Sequence, residues 1–142
     1  MYLEFEELNL IDLLSERHVQ LRSICEQLWN ERHVIYISNS EWFIMARIYK
    51  RTPTISQVTR QVDISRQATH KFIKSLESKG LVEITKAQNN NKEKCLRLTP
   101  LGESSYEKNT LIKASLEQRI SDALGAEQVA LLKKLLQADW EL

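Results

Sequence analysis

A mainly α-helical chain with one small β-hairpin is the fold class that the sequence predicts. Three observations carry it. Apolar residues recur at helical spacings of three, four and seven in both terminal segments. Between them, helix-start signals follow one another at Ser38, Thr54, Ser65 and Thr99. Only between residues 81 and 98 does the apolar period switch to two, on either side of a polar run at 88–92.

The first helix is expected over about residues 8–32. Leu10, Leu14, Leu21, Cys25 and Leu28 form its stripe, widened by Ile11, Ile24 and Trp29. Val34, Ile35, Tyr36 and Ile37 are a β-branched and aromatic patch that reads as an extended connector. Ser38 and Glu41 then have the spacing of a capping box, which opens a second helix through Trp42, Phe43, Met45, Ala46, Ile48 and Tyr49. That segment is apolar on most sides and should lie centrally. Pro53 breaks the chain, and Thr54 with Gln57 repeats the capping-box spacing for a short helix over about 55–62, with Val58 and Val62 inward.

Asp63, Ile64 and Ser65 form a tight turn, and Ser65 caps the next helix, which runs to Lys79 and stops at Gly80. Two helices joined by so short a turn, the second rich in basic residues, form a helix-turn-helix pattern. Residues 81–85 and 94–98 read as two strands around the loop 88–92, giving a hairpin, or wing. Thr99 with Pro100 at the first helical position starts a long helix striped by Ile112, Leu116, Ile120 and Leu124. Gly125 ends it. A last amphipathic helix carries Val129, Leu132, Leu135 and Leu136, with Trp140 beyond them. The predicted architecture is a winged helix-turn-helix between long terminal helices.

Charge is distributed unevenly along this frame. The chain has 142 residues and a net charge of only +1, yet the stretch 47–97 holds 12 of its 20 Lys and Arg against 4 acids, or +8. The remainder carries −7. A basic middle between acidic flanks suits a polyanion partner. On the helix after Ser65, at about 100° per residue, Arg66, Gln67, His70, Lys71 and Lys74 fall within about 140° of one another. Thr69, Phe72, Ile73 and Leu76 occupy the opposite, core-facing side. Lysine charges suit phosphates, whereas Gln67, His70 and Arg66 have donors that can reach base edges in a major groove. An ordinary solvated helix face has the same composition; the hairpin and the charge segregation favour the nucleic-acid reading.

The stretch from Ile64 to Val82, read as ISRQATHKFIKSLESKGLV, resembles the recognition helix and strand entry of MarR-type transcriptional regulators. So do Thr54–Val58 (TISQV) for the preceding helix and Leu98–Gly102 (LTPLG) for the wing exit. The resemblance spans nearly the whole chain and implies a single MarR-like domain over 1–142. Residues 8–37 and 100–142 would be dimerisation helices, and 38–99 the winged DNA-binding part. It further implies a homodimer on a palindromic site in double-stranded DNA, with each wing in a minor groove, and a repressor that a small-molecule effector releases. The family's wing commonly carries an Asp and an Arg two apart; here Asn90 and Lys92 stand at those positions, so Lys92 should add affinity more than base choice.

Other chemistry finds little support. There is no nucleophile elbow, phosphate-cradling glycine loop or His-Glu-x-x-His pattern, and the chain reads as no enzyme with no cofactor. Two cysteines, Cys25 and Cys95, cannot build a disulfide framework. His18 and Cys25, seven apart, are a poor metal set, and no metal is expected. Cys25 sits well inside its helix and reads as core rather than as a redox sensor. Trp42 and Phe43 are candidate walls of an effector pocket, with ordinary core as the competing assignment; Trp29 and Trp140 are assigned to a dimer seam. An acidic amino terminus and the absence of an 18-residue apolar run point to a cytoplasmic protein without a membrane segment. The rival function is a winged-helix interaction module docking an acidic protein. Steep salt dependence on duplex DNA and preference for one palindrome separate the two.

Overall fold

A computed structural model describes residues 4–87 and 90–142, without the side chains of residues 87 and 90–92. After a single 3-10 turn, Phe5–Glu7, come α1 (Leu10–Arg32), α2 (Asn39–Ile48), α3 (Ile55–Gln61) and α4 (Arg66–Ser78). The hairpin β1 (Val82–Ala87) and β2 (Asn90–Leu98) follows, then α5 (Pro100–Leu124) and α6 (Ala126–Gln137).

The helix starts form through the local chemistry that the sequence announces. Asn9, Ser38, Thr54, Ser65 and Thr99 each accept the backbone N–H three residues on. At Ser38 and Thr54 the reciprocal bond from Glu41 and Gln57 completes a capping box. Three helix ends turn through left-handed backbone: Lys50 at φ 56° after α2, Gly80 at φ 76° after α4, and Gly125 at φ 100° after α5.

The core lies where α2 meets α4, the hairpin and α5. Ile37, Ile44, Met45, Ile48, Val58, Leu76, Leu81 and Leu96 are completely enclosed there. Val58 and Val62 point inward as expected. On α4 the buried residues are Thr69, Ile73 and Leu76, whereas Phe72 is only half-buried against the core edge. Thr69 reaches complete burial because its hydroxyl donates to the Ser65 carbonyl at 2.9 Å, leaving no unpaired polar atom inside.

Two expectations are corrected, at the hairpin and at Trp29. The strands reach further than 81–85 and 94–98: Ala87 pairs with Asn90 after an irregularity between Lys86 and Ala87, so residues 90–92 of the expected loop are strand. Polar composition marks a hairpin tip, but backbone pairing does not require apolar side chains. The α1 stripe is buried only at its C-terminal end, at Cys25 and Trp29, while Leu10, Ile11 and Leu14 are exposed. Trp29 belongs to the core rather than to a dimer seam: it is 2% exposed, its ring stacks on His33 at 3.6 Å, and Trp42 meets it edge-on at 4.9 Å. Among the described residues no helix is long and apolar enough to cross a membrane.

Candidate nucleic-acid interface

The turn between α3 and α4 sets the two helices so that one side of α4 packs on α2 and β1 while the other faces out. Arg66, Gln67, His70, Lys71 and Lys74 are all exposed, as a polar ridge along the helix. Lys74 Nζ lies 3.6 Å from Glu77 Oε1, but both side chains are open to water. Such a pair is worth little and leaves the lysine free to exchange partners.

The hairpin is joined to the helix-turn-helix by backbone. Leu96 N–H donates to the Pro53 carbonyl at 2.8 Å, and Thr54 bridges Cys95, so the segment before α3 adds a short third strand contact. This seam fixes the wing relative to α3 and produces a groove of about 450 Å³ whose lining includes Thr54, Arg60, Arg66, His70 and Lys94 and one carboxylate, Glu93. A smaller hollow of about 240 Å³ between α4 and the hairpin is lined by Lys74, Glu77, Lys86 and Lys94, among others.

The structure therefore brings Arg66 and His70 together with Arg60 and Lys94, two cations that the helical wheel of α4 alone could not single out. Their signal was present only in the regional charge count. Gln67 and Lys71 lie on the same exposed ridge but line neither hollow. The side chains of Asn90 and Lys92 lie outside the described residues. Arg97, opposite Glu83 in the strand register, pairs with that carboxylate and so has its charge partly neutralised.

The candidate effector residues separate. Trp42 is 4% exposed in the core, and among the described residues its indole N–H has no acceptor. Phe43, its neighbour in sequence, turns to a cleft of about 790 Å³ between α1, the start of α2 and the α3–α4 turn, with His18, Arg22, Glu26, Asn39 and Asp63 among its walls. Adjacent helical residues diverge by about 100°, so both could not line one side of a cavity while α2 remained packed. His18 lines the cleft and Cys25 is buried away from it. Among the described residues no group of three or more His, Cys, Asp or Glu side chains could hold a metal ion.

Residues 37–102 match the family model described as a winged helix DNA-binding domain. Over a longer span, the chain superposes on wild-type apo MarR from E. coli with a TM-score of 0.79 and 20% identity, covering 92% of this chain and 96% of that one. The chain carries a winged-helix domain within the fold of MarR. Two further structures similar to this chain are ligand-bound. Streptococcus pneumoniae FabT in complex with DNA matches at a TM-score of 0.74 and 21% identity, over 88% of each chain. NadR in complex with 4-hydroxyphenylacetate matches at 0.71 and 25% identity, over 96% of this chain and 95% of that one. No curated protein sequence matches the chain significantly.

Proposed function

We propose that the chain is a homodimeric transcriptional repressor that reads a palindromic operator with α4 and releases it when a small molecule binds. The observation that carries the reading is the uninterrupted exposed ridge Arg66–Gln67–His70–Lys71–Lys74 beside a groove walled by Arg60 and Lys94. In this assignment the lysines attract phosphate, and Gln67 and His70 discriminate bases. The bound states of FabT and NadR support duplex DNA and a small molecule as the two ligand classes. The cleft beside Phe43 is of a size suited to the latter.

The dimer is supported by the terminal helices. Leu10, Ile11 and Val19 on α1, Leu111 and Leu124 on α5, and Leu131 and Leu135 on α6 are each more than half exposed. Apolar area on this scale is unusual for a lone globule, and a two-fold mate that covers it also matches a two-fold operator. Sedimentation equilibrium at micromolar concentration should give twice the chain mass; a compact monomer would sink the dimer assignment.

Alanine scanning of α4 tests the DNA assignment, with a preferred duplex selected from a random library and a scrambled control at two salt concentrations. Lys71→Ala and Lys74→Ala should weaken both duplexes alike and flatten the salt slope. Gln67→Ala and His70→Ala should cost about 1–3 kcal/mol on the selected duplex and little on the control. If preference survives both of the latter in folded protein, α4 is not the base reader. If no duplex is enriched and an acidic polypeptide competes instead, the ridge is a protein-docking face.

A further inference from the structure

Glu41 does more than cap α2. Its side chain is almost completely enclosed, at 2% residue exposure, and both carboxylate oxygens are fully engaged. Oε1 accepts from the Ser38 backbone N–H and hydroxyl, each at 3.0 Å. Oε2 accepts from the Ser75 hydroxyl at 3.1 Å, and Lys79 Nζ lies 2.8 Å from both oxygens. Ser75 stands in the last turn of α4 and Lys79 is its C-cap. The carboxylate thus ties the end of α4 to the beginning of α2.

The tie continues to α1. The Lys79 ammonium sits 5.4 Å from the centre of the Tyr36 ring, a cation–π distance. The Tyr36 hydroxyl donates to Glu26 Oε1 at 2.9 Å, and the other Glu26 oxygen accepts the Asn39 backbone N–H at 3.2 Å. A continuous polar chain therefore runs from the middle of α1, through the connector, to the end of α4. Lys79 is the one basic residue of the 64–82 stretch whose side chain is only 24% exposed, and its charge is already matched by Glu41. It is a poor candidate for a phosphate contact.

We propose that the Glu41–Lys79 pair is a positioning device for base reading: it fixes the angle at which α4 leaves the domain. The proposal rests on α4 being the DNA-reading element. A buried ion pair is weak as a source of stability, because desolvation offsets most of the attraction, whereas its geometry is specific. Losing the pair should leave the fold and its surface charge in place while the recognition ridge samples more orientations. Phosphate attraction tolerates that freedom; bidentate base contacts do not.

The test compares wild type with Glu41→Gln/Lys79→Met, which removes both charges together and so leaves neither buried alone. The measurements are binding to the wild-type-selected duplex and to a scrambled duplex at two salt concentrations, thermal melting, and amide exchange along α4. The expected result is a melting temperature within a few degrees of wild type, scrambled-duplex affinity and salt slope unchanged, about tenfold loss of preference for the selected duplex, and faster exchange in the last turns of α4. If the double variant does not fold, Glu41→Gln alone is compared instead: glutamine retains the capping box, and the Lys79 side chain, 24% exposed, can turn its unpaired ammonium to water. Full retention of preference overturns the proposal, as does an equal loss on both duplexes, which would make the pair a general fold element or Lys79 a phosphate contact. If wild type itself enriches no duplex, the DNA-reading assignment falls and this proposal falls with it.

Discussion

Replacing Trp29 by alanine should destabilise the fold by about 3–5 kcal/mol, the range for deleting a large aromatic ring from a packed core. Trp29 is the point at which α1 enters the core. Its indole N–H donates to the Ile35 carbonyl at 3.0 Å, which pins the connector, while its faces and edge engage His33 and Trp42. Burial there, followed by the charges of Lys108 and Arg32, holds the His33 imidazole below its ordinary pKa, so the stacked ring favours its neutral form. Trp29→Phe separates the contributions. It retains a ring but strands the Ile35 carbonyl, and should cost about 1–3 kcal/mol less than the alanine variant. Urea unfolding at fixed protein concentration is the measurement, since a subunit partner would make stability depend on concentration. A loss below about 1 kcal/mol for Trp29→Ala would show that α1 docks by other contacts.

Gly102→Ala is the second large effect, and its sign is the diagnostic part. In the interior of an exposed helix, glycine to alanine stabilises by about 1 kcal/mol. Gly102 instead lies buried in the first turn of α5, where an added Cβ would collide with the Leu81 carbonyl oxygen and approach Leu98 Cβ to 3.3 Å. The oxygen is backbone and already accepts the Thr99 N–H at 3.0 Å, so it has no easy way to yield. The substitution should destabilise by about 1–3 kcal/mol, as overpacking does. It should also displace the hairpin base, weakening DNA binding in protein that remains folded. Denaturation and duplex binding measured on the same preparation check both halves. A stabilised variant would show that α5 and the hairpin are not in contact at this point.

Most helix boundaries were legible because they are written in short-range chemistry. Ser38–Glu41, Thr54–Gln57, Ser65, Thr99–Pro100, Gly80 and Gly125 each act within about four residues, and each does in the structure what its spacing implies. The exposed ridge of α4 was legible for the same reason, since a helical wheel is local geometry. Long-range partners were not. The Trp29 stripe announces burial but not the neighbour that provides it, which is how a core tryptophan reads as a dimer contact. Glu41 was satisfied on paper by its capping role, and nothing in the chain order signals that Lys79, 38 residues later, closes on the same carboxylate. Arg60 and Lys94 come together only because Pro53–Thr54 joins the sheet at Leu96 and Cys95, a pairing with no periodic signature.

The base of the hairpin and the start of α5 also form a stiff mechanical joint. Thr99 donates its hydroxyl to the Gly80 carbonyl at 2.6 Å and its N–H to Leu81, and Gly102 lets the helix press directly on that strand entry. A 25-residue helix, about 37 Å long at 1.5 Å per residue, leaves from this joint. With Thr99–Gly102 as fulcrum, α5 is a lever whose short arm is the base of the hairpin. A tilt of about 10° sweeps the distal end near Leu124 through roughly 6 Å on that length, while the hairpin base shifts far less. Displacement at the α6 end is therefore geared down at the hairpin base, and force there is correspondingly magnified. A push on the exposed apolar end of α5 thus reaches the Thr99–Gly102 joint through a long moment arm.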